Sequence, residues 1–204
     1  PTLLAPLLRK LAELAPEITI EPAVLSFESI AEGLRQGRID IAITWDLGLD
    51  ATCDRTVLMQ VAPHAVTAAD HPLVRAAKRG LTLQAVSDYP LILADQGLSL
   101  GHMRALFTAR GLPFQIAHRT ATLDLMRSFA ANGFGVGLSY TRPQGRRSHD
   151  GARLAALPLT DAGSEAVILA RMAGNALHPP AARLAELIPA LLTQSDPDQP
   201  ETDA

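Results

Sequence analysis

The sequence predicts an α/β protein of two similar lobes joined by two crossover segments, and three observations carry that expectation. One pattern, a hydroxyl-started helix, a glycine stop and an apolar run, occurs twice. In the first copy Ser26 opens a helical stretch, Gly37 ends it eleven residues later, and Ile39–Ile43 reads as a strand. In the second, Thr122 opens the helix, Gly133 ends it again eleven residues on, and Phe134–Leu138 follows as a strand. The match extends upstream. Thr2, a helix over Leu3–Leu14 and the run Ile18–Ile20 lead to Ser26 across a span of 24 residues, while Ser99, a helix over Leu100–Arg110 and the run Phe114–Ile116 lead to Thr122 across 23. Finally, two extended runs, Thr56–Ala69 and Arg153–Leu159 with Glu165–Ala170, have the length and place to cross between lobes. Paired βαβα units of this kind leave a cleft between them, and clefts bind small ligands.

Each element has a local reason. Leu3, Leu4, Leu7, Leu8, Leu11 and Leu14 recur at helical spacing with Arg9, Lys10 and Glu13 off that stripe, and Pro16 stops the helix. Strands alternating with helices argue for a parallel sheet in each lobe. The run Thr56–Ala69 is too long for one ordinary strand of a small lobe. Asp70-His71-Pro72 reads as a turn with Pro72 at a first helical position. Pro90–Ala94 is a strand ahead of the second copy; the first copy starts at Pro1 with no such strand, so the expectation is that the opening strand lies ahead of this sequence. A helix over Ala181–Leu192 closes the chain. The expected division is 1–60 for the first part of lobe I, 61–160 for lobe II, 161–193 for the return to lobe I, and 194–204 for a disordered Ser/Asp/Pro/Gln/Glu-rich tail.

Composition excludes several classes. The 204 residues are 48% apolar, enough for two lobes with cores. A net charge of −3 lacks a general nucleic-acid footprint, and the one dense basic run is Arg142 to Arg147. The single cysteine, Cys53, precludes an intramolecular disulfide and suits a reducing compartment. No apolar run reaches membrane length. His64, His71, His102, His118, His149 and His178 include no pair at metal-ligand spacing on a helix face, so neither metal nor cofactor is expected. Gly133, Gly135 and Gly137 follow a helix and lie in a strand, the reverse of a dinucleotide-binding fingerprint.

The series Pro16-Glu-Ile-Thr-Ile20, Leu34-Arg-Gln-Gly-Arg-Ile-Asp-Ile-Ala-Ile43, Asp70-His-Pro-Leu73 and Ala131-Asn-Gly-Phe-Gly-Val-Gly-Leu138, in this order and spacing, resembles the effector-binding domain of LysR-type transcriptional regulators over about Pro1 to Leu192. The resemblance implies two Rossmann-like lobes of the periplasmic-binding-protein type II kind. It implies a small-molecule effector, a cytoplasmic protein without membrane contact, and a homodimer or homotetramer. It implies DNA contact only through an N-terminal winged helix-turn-helix outside this sequence. The outer edge of the first helix's leucine stripe is implied as a dimer interface. Many members follow the first-lobe strand with a basic residue for an anionic effector. Here Thr44 and Trp45 stand instead, which points away from a simple carboxylate; Leu138-Ser139-Tyr140 likewise replaces a common Leu-Pro continuation. The rival classes are a transporter's solute-binding protein and an enzyme on the same fold; no residue pair or motif singles out an acid–base or nucleophilic site.

Candidate ligand contacts follow from the repeat. Helix N-termini present unpaired N–H groups and positive dipole ends that hold an anion or carbonyl. Four hydroxyl starts, Thr2, Ser26, Ser99 and Thr122, stand at the expected cleft; each serves as a plain cap, as a ligand contact, or both. Thr44, Trp45 and Tyr140 follow the two repeat strands, where open α/β sheets bind ligands. Gln96 and Gly97 fill the turn before Ser99, and Gly97 permits close backbone approach. Asp40, between apolar residues of the expected strand, is read as structural, and His71 as part of its turn.

Overall fold

Side-chain caps and glycine stops bound the two helices of the repeat. The computed structural model describes residues 3–95 and 97–193. In chain order it contains α1 (Leu4–Leu14), α2 (Phe27–Arg35), β1 (Ala42–Trp45), β2 (Cys53–Val61), β3 (His64–Ala68), α3 (Pro72–Ala76) and α4 (Leu83–Ser87). There follow β4 (Leu91–Ala94), α5 (Leu98–Thr108), β5 (Ile116–Thr120), α6 (Leu123–Ala131), β6 (Val136–Ser139), β7 (Leu154–Pro158), β8 (Glu165–Met172) and α7 (Pro179–Thr193). Ser26 Oγ accepts from Ser29 N–H and Thr122 Oγ1 from Leu125 N–H, each at 3.2 Å, opening α2 and α6 as the repeat predicts. Gly37 (φ +67°) and Gly133 (φ +81°) close them in the left-handed conformation that suits glycine. His71 Nδ1 accepts from Leu73 N–H at 3.2 Å with Pro72 opening α3, the turn role the sequence suggests.

The described residues divide into two compact units, one running to Gln60 and resuming at Ala166, the other Val61–Glu165. In the first, three strands lie in the order β1-β8-β2, with β1 antiparallel to β8. Leu34, Ala42, Cys53, Ile168 and Ala170 form a buried core there, and α1 packs on α7. In the second, five strands lie in the order β5-β4-β6-β3-β7. β4 runs parallel to β5 and β6, and β3 is antiparallel to β6 and β7. Phe107, Leu91, Leu93, Val136 and Leu138 centre one core of this unit, and Ile92, Val66 and Met126 another.

Several expectations are corrected. The sheets are not purely parallel: in the second unit β3 pairs antiparallel to the repeat strand β6 and to β7, and in the first β8 pairs antiparallel to the repeat strand β1. The run Thr56–Ala69 breaks into β2 and β3 around Ala62-Pro63, as its length required. Ile18–Ile20 forms no strand: β5, its counterpart, is held by β4, and no described strand stands in β4's place in the first unit. The repeat strands start later than the apolar runs. Arg38 and Ile39 N–H both return to Gly33 O, and Phe134 N–H to Phe129 O, so the residues after each glycine complete a helix cap before entering the sheet. Asp40 consequently precedes β1, and its carboxylate meets His178 Nε2 at 3.0 Å. The predicted disordered tail, 194–204, lies outside the described residues.

Candidate functional site

In the second unit the parallel arrangement gathers three strand ends. Asp95 N–H donates to Thr120 O at 2.8 Å, locking the end of β4 beside the end of β5. β6 runs parallel to β4 on its other side. The segments leaving these strands therefore start from one edge of the sheet: Gly97 toward α5, Thr122 toward α6, and Tyr140 after β6. This is where ligands meet open α/β sheets.

The helix starts here differ in kind. Thr122 caps α6 through its side chain, whereas α5 has none: its N-cap is Gly97 at φ +60°, and the helix begins at Leu98. Ser99, expected to precede the helix, lies inside its first turn; Gly97 supplies the turn that Ser99 was expected to follow. The leading N–H groups of α5 thus receive no hydroxyl cap, and the positive end of that helix faces the strand-end edge. Gln96 lies outside the described residues.

Tyr140 is buried, 6% exposed, with its hydroxyl 3.2 Å from His102 Nε2. The same nitrogen lies 3.2 Å from Glu165 Oε1. A carboxylate only accepts, so the ring hydrogen belongs on Nε2, shared between Glu165 and the Tyr140 oxygen. Burial first, and the Glu165 charge second, push the Tyr140 phenol up to about 12, with Arg110 opposing. Tyr140 therefore stands as a neutral phenol at physiological pH. His102 follows Ser99 by three residues, one turn along the same helix face, so the His102–Tyr140 bond draws Ser99's face of α5 to the end of β6. His102 and Glu165 were missed from sequence. The spacing Ser99 to His102 was the available signal; the partner, at the start of β8, is far along the chain.

In the first unit, Thr44 and Trp45 lie within β1, not after it, because the helix cap delays the strand. Thr44 is 8% exposed, and no hydrogen bond among the described residues uses its hydroxyl. Trp45 is partly buried and pairs in register with Val167. Ser26 caps α2, which packs against β1. Arg55 organises the loop after β1, donating to Asp46 Oδ1 at 2.9 Å and to the carbonyls of Leu49, Asp50 and Cys53 at 2.8 Å. Thr2 lies outside the described residues. A groove of about 260 Å³ in this unit, floored by Leu169, Leu177 and Ala182, contains none of these groups. Its polar wall is closed by the Asp54–Arg171 ion pair at 3.0 Å, which makes it a poor rival.

Among the described residues no three His, Cys, Asp or Glu side chains stand where they could hold a metal ion, and no helix is long and apolar enough to cross a membrane.

Strand ends, helix N-termini, hydroxyls and a neutral phenol are the equipment of a small-molecule-binding domain. The family model for the LysR substrate binding domain matches residues 1–192, and the chain belongs to that family. It is 28% identical over 141 residues to the HTH-type transcriptional regulator cbl of Escherichia coli (strain K12), covering 68% of this chain and 44% of that protein, so the chain spans less than half of this relative. The C-terminal domain of a probable LysR family regulator from Rhodococcus sp. RHA1 superposes with a TM-score of 0.85 at 26% identity, covering 92% of each chain. HinK, a LysR family regulator of Pseudomonas aeruginosa, superposes at 0.85 with 25% identity, covering 93% of this chain and 65% of that one. The BenM effector-binding domain with benzoate, at 21% identity and 0.78, shares the fold. The fold is thus of the periplasmic-binding-protein type II kind that the resemblance implied.

Proposed function

We propose that this chain is the effector-sensing domain of a LysR-type transcriptional regulator, with a sensing and not a catalytic role. The observation that carries this reading is the family match across residues 1–192. The regulator works in the cytoplasm as a homodimer or homotetramer and reads DNA through a part outside this chain. The outer edge of α1, where Leu14 is 53% exposed, supplies part of the subunit contact.

The effector is a small polar metabolite. The candidate contacts are Ser26, Thr44 and Trp45 in the first unit and Gly97, Ser99, Thr122 and Tyr140 in the second, with Thr2 and Gln96 completing the set. The start of α5, where the N-cap is Gly97 and brings no side chain of its own, supports recognition of a carbonyl or partial negative charge by backbone N–H groups. The Thr44 hydroxyl, which no hydrogen bond among the described residues uses, supports a hydrogen bond to a ligand in place of water. Shikimate bound to QuiR and benzoate bound to BenM give the size class. Because nearby side chains supply hydroxyls and a phenol, a hydroxylated metabolite suits the site better than a bare carboxylate. The signal arises from different affinities for two arrangements of the protein.

A thermal-shift screen against aromatic acids, aliphatic acids, sugars and amino acids tests this. One class is expected to raise the midpoint with dose, as mass action requires. A flat response to all four classes would count against the sensing role.

A further inference from the structure

The segment 142–153 carries Arg142, Arg146, Arg147 and Arg153 against one carboxylate, Asp150, a net +3 in a chain whose net charge is −3. All four arginines are exposed. The segment is a built hairpin. Arg147 and Arg153 face each other in an antiparallel bridge, and Leu154 N–H donates to Arg146 O at 3.0 Å. Ser148 N–H donates to Ala152 O and Gly151 N–H to Ser148 O, each at 2.9 Å, with Gly151 at φ +85° turning the tip. Helix α6 holds both arms: Arg127 donates to Thr141 O at 2.9 Å and Asn132 to Asp150 Oδ2 at 2.7 Å.

Two features set this hairpin apart from an ordinary solvated face. Its one carboxylate is spent on neutral donors, Ser148 on one oxygen and Asn132 on the other, which holds Asp150 below the usual carboxylate range. Among the described residues no carboxylate pairs with Arg146, Arg147 or Arg153, and Arg147 spends one N–H on Gly151 O at 2.7 Å. Moreover, Arg147 and Arg153, directly opposite, share one face of the ribbon, an arrangement that like charges disfavour unless an anion lies between or above them. Guanidinium groups match phosphate oxygens in paired geometry.

We propose that the Arg142–Arg153 hairpin is a docking surface for the phosphate backbone of duplex DNA. This rests on the reading of the chain as part of a regulator held on DNA, where a weak backbone contact acts at high local concentration. The contact adds to the winged helix-turn-helix, the one DNA contact that the resemblance implies; it is sequence-independent and carries no base readout.

Fluorescence anisotropy of this chain with a labelled duplex of arbitrary sequence, titrated between about 50 and 200 mM salt, is the test. Neutralising about three phosphates gives a log–log salt slope near −2.7, an affinity loss of about 40-fold across that range. Arg147→Gln with Arg153→Gln, which loses the Arg147 bond to Gly151 O but keeps the hairpin's backbone bonds, should make the slope shallower by about 2 well below the thermal midpoint, whereas Arg75→Gln with Lys78→Gln, exposed on and beside α3, should leave it intact. No binding at low salt, the same slope in the hairpin variant, or equal loss in the α3 variant overturns the proposal. The metabolite screen is read separately: a chain stabilised by a metabolite that shows no duplex binding loses the hairpin assignment alone.

Discussion

His102 places its Nε2 3.2 Å from Glu165 Oε1 and at the same distance from the Tyr140 hydroxyl, joining α5, the residue after β6 and the first residue of β8 in one hydrogen-bonded group. Truncating the imidazole removes the ring N–H that Glu165 and the Tyr140 oxygen share. His102→Ala should therefore lower stability by roughly 1–3 kcal/mol, and His102→Gln, which keeps an N–H donor, by less. Urea unfolding of the two variants checks this; equal losses would show that the ring's packing, not its donor, matters.

Ser26 and Thr122 do two separable things in this account. As caps, each contributes about 1 kcal/mol, so Ser26→Ala and Thr122→Ala should each lose that much, and Asp at either position should restore it. As ligand contacts they need a hydroxyl, so Asp should restore stability without restoring effector affinity. Parallel melting and binding curves on the four variants distinguish the roles.

Gly137 lies where a β-carbon would approach Met126 Sδ to 2.0 Å, and Met126 is fully buried. Gly137→Ala should cost about 1–3 kcal/mol through overpacking. Combined with Met126→Ala, which opens the space, the loss should be smaller than the sum of the single losses by about 0.5–3 kcal/mol. A double-mutant cycle in urea measures that coupling.

The His71 cap is pH-sensitive. Burial lowers its pKa from the ordinary 6.5, with Asp70 pulling the other way, so the folded form favours the neutral ring whose Nδ1 accepts from Leu73 N–H. The unfolded chain binds the proton first as pH falls. The cap's contribution is thus complete above 6.5 and lost as pH drops from there toward the lower folded value. His71→Asn keeps a capping acceptor that does not titrate. The difference in stability between wild type and variant should change across that window and be constant above about pH 7.5. A constant difference throughout would remove the cap from the account.

What the sequence revealed follows from interaction range. Ser26, Thr122, Gly37 and Gly133 were legible because caps and glycine stops are bonds between residues three to five apart. Ser99 was misplaced because Gly97 and Ser99 both signal a helix start, and only the backbone conformation at Gly97 decides between them. The apolar runs Ile39–Ile43 and Phe134–Leu138 announced strands but not their first residues, since the cap bonds to Gly33 and Phe129 compete for the same N–H groups. Ile18–Ile20 has the composition of a strand, yet a ladder needs a neighbour. His102, Tyr140 and Glu165 meet only through the sheet order, which residue spacing does not encode.

The central claim is that a small polar metabolite binds through hydroxyls at the strand ends and helix starts of this chain. Isothermal titration of the stabilising metabolite into the wild type, Thr44→Val and Ser99→Ala tests it most directly. The account predicts saturable binding to the wild type, weakened at least about tenfold, or 1.4 kcal/mol, in each variant, with melting of the ligand-free proteins nearly unchanged. Undiminished affinity in both variants would contradict it.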